Sequence, residues 1–232
     1  MNPSRLDPNA IVATAENLSL RIDERFEGRG ISEIGHHLLG TARATRERLE
    51  ELHRPRRGLR YGIAALILVT MAVATYAAFS VDLDVDEVGG IDDWIMVLEA
   101  GLQDLVFVGL AVVFVRGAEA RVVRKDALIG LHQLRSVAHV IDMHQLTKDP
   151  EALLSPDQRT EHSPARTLSR FELTRYLDYC SEMLSITAKL AAMYAQESTD
   201  AVVLGAVREI ESLASDMSAE VWQKAILLQI QT

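Results

Sequence analysis

The sequence is short of the residues that usually announce chemistry. It has one cysteine, Cys180, among 232 residues. A single thiol closes no intrachain disulfide, so a disulfide framework is excluded, and Cys-rich zinc patterns go with it. In an apolar helix stripe, Cys180 reads as an inert buried thiol rather than a nucleophile. There is no Gly-x-Ser-x-Gly elbow and no Gly-x4-Gly-Lys-Ser/Thr loop, which removes the best-marked nucleophile and nucleotide sites. The Gly-Arg-Gly run at 28–30 lacks the strand that a dinucleotide fingerprint requires. Nowhere does hydrophobicity alternate with period two for long enough to make a strand. The expected fold class is therefore all-α. No internal repeat and no low-complexity tract divides the chain, and no cofactor is expected.

The absence of charge is more informative. Residues 61–81 contain no Asp, Glu, Lys or Arg, and residues 94–115 contain only Glu99 and Asp104. A helix that crosses a bilayer needs roughly 20 mostly apolar residues. Both stretches qualify, which predicts a transmembrane hairpin over 59–115 with spans at about 59–81 and 94–115. The first block starts some sixty residues in, too late for a cleavable signal peptide. The intervening loop, 82–93, holds six acids and no Lys or Arg. Arg54, Arg56, Arg57 and Arg60 precede the first span, and Arg116, Arg121, Arg124 and Lys125 follow the second. Basic residues beside spans mark the cytoplasmic side and suit anionic head groups. The expectation is a multi-pass protein of a bacterial-type inner (plasma) membrane, with both termini cytoplasmic and the acidic loop outside. Residues 1–58 are nearly balanced, with ten Lys/Arg and nine Asp/Glu, so nucleic acid is not an expected partner.

Both flanks read as helical, and together they predict a cytoplasmic bundle. In 1–58, Ile11, Ala15, Leu18, Ile22 and Phe26 recur at steps of three and four, which stacks them on one helix face. Asp7 and Pro8 suit its cap and first turn, and Gly28 and Gly30 end it. Ile31, Ile34, Leu38, Ala42, Leu49 and Leu52 mark a second helix, stopped by Pro55. The two should fold back as an antiparallel hairpin. In 116–232, Val123, Ala127, Leu131, Leu134, Ala138 and Ile141 continue a near-heptad stripe out of the second span. That predicts one long helix, bent near Gly117, reaching Asp149-Pro150. A rod of some fifty residues would be about 75–80 Å long and could transmit motion. Residues 149–167, with three prolines, read as a mobile loop. A helix over about 169–196 carries two adjacent apolar stripes, through Leu177 and Cys180 and through Tyr176 and Met183. A last helix from Asp200 to about Gln231 is expected to be capped by Ser198 or Thr199 and broken near 215–218. Its expected packing residues include Val203, Val207, Ile210, Leu213, Met217, Trp222, Ile226 and Ile230.

Two clusters carry candidate chemistry. Within the second span, Asp104 falls near the bilayer centre, level with Met71 and beside Thr70; Glu99 comes level with Tyr76. An ionised carboxylate at that depth is costly, and such residues face a bundle interior or a water-filled cavity. Ala100, Gly101 and Ala111 on the same side would let another helix approach closely. Asp104, Glu99, Gln103, Thr70 and Tyr76 are thus assigned to a helix contact or a pore lining. The second cluster is His132, His139, Asp142 and His144. His139 and Asp142 share a helix face at i,i+3, which suits a hydrogen bond inside a bundle; a metal or small-ligand site is the alternative. A Glu-x-x-His unit at Glu33 and His36 has no second copy, which argues against a di-iron carboxylate site.

Two spans cannot enclose a conduit alone, so a pore requires a homo-oligomer. The layout is similar to that of two-span bacterial effectors proposed to form pores when a cytoplasmic partner signals. The resemblance lies in topology, and it implies a non-enzymatic, channel-like or effector module gated through its cytoplasmic helices, with a cytoplasmic protein as partner. A membrane-anchored scaffold or signalling adaptor is the alternative, and a metal-dependent sensor or enzyme around His139 and Asp142 a further one.

Overall fold

A computed structural model describes residues 5–53, 61–62, 65–73, 91–148, 150, 161–162 and 168–230. Every long regular element among them is an α-helix: α1 Pro8–Phe26, α2 Gly30–His53, α3 Ile91–Leu146, α4 Arg170–Glu197 and α5 Ala201–Ile230. Residues 65–73 are also helical. The chain divides into two compact units. One joins Met1–His53 to Arg124–Thr232, and the other is Arg54–Val123.

The first unit is a helical bundle, and the polar contacts between its helices give their directions. Asp7 caps α1 by accepting from the Asn9 amide at 2.9 Å, and Pro8 fills the first turn. Past Phe26 the chain turns through Gly28, whose φ of 69° lies in the left-handed region that suits glycine. The chain then runs back antiparallel: His36 meets Asp23 at 2.8 Å and Arg43 meets Glu16 at 2.9 Å, so numbers rise on α2 as they fall on α1. The Glu-x-x-His histidine is thus paired across the hairpin. The same reasoning sets α4 antiparallel to α1, through Arg21–Glu182 at 2.5 Å near one end and Arg5–Glu197 near the other. The last part of α3 runs parallel to α5, because Arg124–Asp200, Arg135–Glu209 and Gln145–Lys224 advance together.

Burial follows the apolar stripes. Ile11, Ala15, Leu18, Ile22 and Phe26 of α1 are buried, as are Ile31, Ile34, Leu38, Ala42 and Leu49 of α2. Ala127, Leu131, Leu134, Ala138 and Ile141 of α3 join the same core. Helix α4 buries both its stripes and is the central element. It starts with a capping box: the Glu172 amide donates to Ser169 Oγ at 3.2 Å, and the Ser169 amide donates to the Glu172 carboxylate at 2.8 Å. The Ser169 amide, and after it the Ser169 hydroxyl, hold the Glu172 carboxyl below its ordinary range.

Three expectations need correction. Helix α5 is unbroken through 215–218, because Ala214, Met217, Val221, Ala225 and Leu228 carry its buried stripe straight through. Val203, Val207, Ile210 and Met217 are buried as expected, but from Val221 onward the stripe runs one residue off the expected register, which leaves Trp222 63% exposed. The cap is Asp200, which accepts from the Val202 and Val203 amides at 2.9 and 3.3 Å, while Ser198 only supports it by accepting from the Asp200 amide. A carboxylate at the positive end of a helix is favoured over a hydroxyl. Helix α3 is continuous through Gly117.

Among the described residues no helix is long and apolar enough to cross a membrane, so the two-span hairpin finds no support there. Most of the expected first span, the acidic loop through Gly90, and most of 149–167 lie outside the described residues. The second expected span, 94–115, lies within α3, but six of its side chains, Asp104 among them, are also outside.

Candidate functional site

The described helices of the second unit expose apolar side chains. Leu98, Leu102, Leu105, Leu110, Val113 and Phe114 of α3 are each 61–73% exposed. Ile95, Val106 and Phe107 are exposed beside them. At 3.6 residues per turn, these positions cover an arc of about 200°. A helix on the surface of a globular protein buries its apolar stripe and shows water its polar face. Here the apolar side is the exposed one. On the earlier segment Leu66, Leu68, Val69, Met71 and Val73 are exposed too. Glu99 and Gln103 are exposed within the same run of α3. Thr70 donates its hydroxyl to the Leu66 carbonyl at 2.9 Å, within its own helix. Tyr76, Arg54, Arg56, Arg57 and Arg60 lie outside the described residues, as does the side chain of Asp104. Of the basic residues after the apolar run, Arg116 and Lys125 are exposed, and Arg121 stacks over the Phe114 ring at 5.7 Å. Arg124 is engaged within the bundle, where it bonds Asp200 at 2.6–2.7 Å. Desolvation pushes the Asp200 carboxyl up, but the Arg124 hydrogen bond and the Val203 and Val202 amides outweigh it and hold the group below its ordinary range.

In the bundle, the histidine cluster is dispersed. His132 and His139 are exposed, and His144 is half-buried. Asp142 accepts from Gln145 Nε2 at 2.7 Å, and among the described residues no hydrogen bond joins it to His139. The i,i+3 spacing permits contact, but the fully buried amide of Gln145 is the stronger claimant, since a buried donor left unmade costs about 1–3 kcal/mol. Among the described residues, no group of three or more His, Cys, Asp or Glu side chains is placed to hold a metal ion. His139→Ala is therefore expected to move stability by less than about 0.5 kcal/mol, as at ordinary surface positions. Denaturant unfolding checks this, and a loss of 1 kcal/mol or more, on the scale of a lost hydrogen bond, would show that His139 has a buried role.

Sequence reasoning missed what Gln145 does. Its Oε1 accepts from Lys224 Nζ at 2.8 Å while its Nε2 donates to Asp142. One buried amide thus joins a cation on α5 to a carboxylate on α3 and satisfies both ends of itself. The link spans 79 residues of sequence, and no local pattern announces it. It fixes the end of α3 just where the chain leaves the helix.

There the bundle has a cavity of about 450 Å³, between the α1–α2 turn, the last turn of α3 and the start of α4. Arg29, Gly30 and Ile31 form one wall, and His144, Thr147 and Lys148 another. Leu168 and Tyr176 complete it. His144 Nδ1 lies 3.0 Å from the Val140 carbonyl, which makes Nδ1 the protonated nitrogen. Nε2 is left facing Gly30, where even a Cβ would lie only 3.1 Å away. Lys148 Nζ sits 5.6 Å from the centre of the Tyr176 ring. Burial, with Cys180 adding to it, raises the Tyr176 hydroxyl well above the usual phenol range, so it stays a neutral donor. Its hydroxyl reaches the His144 carbonyl only at a long 3.4 Å. Behind it, burial pushes the Cys180 thiol up to about 12, against the opposing pull of Lys224 and Lys148. A fully buried neutral thiol has none of the thiolate that a nucleophile needs.

Comparison with protein-family models, curated proteins and solved structures finds no match to this chain.

Proposed function

We propose that the chain is a non-enzymatic, oligomeric two-pass protein of an inner membrane, a channel-like or effector module gated through a cytoplasmic helical bundle. The observation that carries this reading is the exposed apolar arc of α3, with leucines and phenylalanines more than half open where a water-soluble helix would show charge. Apolar patches of this kind mark membrane or protein contacts. The charge-free run at 61–81 and the basic clusters on both sides add to it. Asp104 is the residue assigned to the helix contact or pore lining, and the oligomer supplies the neighbouring helices that keep it from lipid.

The orientation follows from the basic flanks. With Gly90→Cys, intact cells should be labelled by a membrane-impermeant thiol reagent; with Gln158→Cys they should not. The native Cys180 gives no background because it is fully buried. Labelling only at 158 would overturn the orientation. Ion flux through liposomes holding the purified chain separates the channel from a scaffold. A chain that inserts and assembles yet passes no ions is an anchored scaffold.

A further inference from the structure

The basic residues that follow the apolar run of α3 are alike in the sequence, and the structure separates them. Arg124 is taken by Asp200, which it bonds through two nitrogens at 2.6 and 2.7 Å. Arg116 has an acid, Glu119, three residues on, and i,i+3 neighbours share a helix face. Arg121 is different. Among the described residues no carboxylate pairs with it, and its guanidinium lies 5.7 Å from the centre of the Phe114 ring. Glu119 is the one acid between residues 105 and 125, and it precedes Arg121 by two positions, which turns it about 200° to the far side of the helix. Phe107, Phe114 and Arg121 recur every seven residues, which keeps them along one side to within about 20° per step. Phe107 is 57%, Leu110 61% and Phe114 69% exposed. This side of the apolar arc thus ends in a cation set over an aromatic ring.

We infer that Arg121 holds the phosphate of an anionic phospholipid whose acyl chains lie against Phe114, Leu110 and Phe107, which rests on the reading above that this arc of α3 meets lipid. The guanidinium offers a planar fork to phosphate oxygens, and such charge-assisted bonds are the strong ones. It is also more weakly hydrated than an ammonium, so it leaves water more readily at an interface. The ring beneath it adds a cation–π contact that favours one placement of the guanidinium. A zwitterionic lipid carries its own cation beside the phosphate and gains less from Arg121. Inorganic phosphate has no chains to lay along the apolar side.

The probes are phosphatidylglycerol and phosphatidylcholine with the same oleoyl chains, added in equal amounts to the purified full-length chain in detergent. The chain is re-isolated by gel filtration, and the lipid it retains is quantified by mass spectrometry. Wild type should retain the anionic lipid over the neutral one by at least fivefold, and Arg121→Gln should cut that preference by about fivefold, the weight of one basic residue at an anionic lipid surface. Other cations, the exposed Lys125 among them, leave a remainder. Arg124→Gln and, on α5, Arg208→Gln remove the same charge elsewhere and should keep the wild-type preference. Thermal melts check folding, and Arg208, exposed on another helix, preserves the contrast if loss of the Asp200 bond unfolds Arg124→Gln. An equal amount of inorganic phosphate should leave the retained lipid in place. Equal retention of the two lipids by wild type overturns the assignment and leaves the membrane reading standing. Retention of neither also overturns it, and the membrane reading falls with it if the chain stays dispersed without detergent. Equal loss in Arg208→Gln, which marks a diffuse charge effect, or displacement of the lipid by inorganic phosphate overturns it as well.

Discussion

Phe26→Ala should destabilise the bundle by about 3–5 kcal/mol, the range for removing a buried aromatic ring. Phe26 is the last residue of α1, a position where truncation often costs little because helix ends fray. Here the ring is 1% exposed. It packs edge-on against Tyr176 at 5.8 Å and Tyr179 at 6.1 Å, and the Arg29 guanidinium lies 5.7 Å from its centre. Removing it empties the place where α1 meets α4 and unseats the turn that leads into α2. Phe171, exposed on α4 with Arg25 stacked on it, is the matched control, and Phe171→Ala should change stability by less than about 0.5 kcal/mol. Denaturant unfolding of both variants measures the contrast. Similar losses at the two positions would mean that the core is not centred on the α1–α4 contact.

The second large effect comes from adding an atom. A Cβ at Gly130 would land on the Tyr194 hydroxyl, 2.7 Å from Tyr194 Cζ and 2.6 Å from Arg48 Nη1. The arginine end can swing aside. The tyrosine cannot, because it is 1% exposed and enclosed by the core. In a free helix Gly→Ala is favourable by about 1 kcal/mol. Gly130→Ala should instead destabilise by about 1–3 kcal/mol, as overpacking does. Adding Tyr194→Phe removes the closest atom but leaves the ring, so the double variant should recover only part of the loss. The hydroxyl is buried without a hydrogen-bond partner among the described residues, so removing it sacrifices no bond. A stabilised Gly130→Ala would show that helix propensity outweighs the contact.

Much of the bundle could be read in advance, because it obeys local rules. Asp7-Pro8 and the stripe from Ile11 to Phe26 specify α1 without outside help, and Gly28 marks its end by a backbone angle that glycine adopts freely. The buried stripe of α3 from Ala127 to Ile141 was equally plain. The start of α4 agrees with the expected boundary near 169, and the Ser169-x-x-Glu172 spacing holds the capping box that fixes it. Helix α5 was harder. Its apolar residues crowd together after Val221, so two neighbouring registers fit the sequence, and only packing chose Val221, Ala225 and Leu228 over Trp222 and Ile226. The pairing of Asp142 with Gln145 rather than His139 was settled by Lys224, a residue on another helix. The cavity was invisible for the same reason. Arg29, Lys148 and Tyr176 are far apart in sequence, and each alone reads as an ordinary surface or core residue.

The exposed apolar arc of α3 is the feature on which the functional proposal turns, and in that proposal lipid and other copies of the chain cover it. Two spans cannot line a pore alone, so the number of chains in the particle is decisive. The measurement is the protein mass of the detergent-extracted, purified particle, with bound detergent subtracted. A discrete mass of several chains is the predicted result. A single-chain mass would contradict the proposal, because one copy cannot supply the helices that shield Asp104 and enclose a conduit.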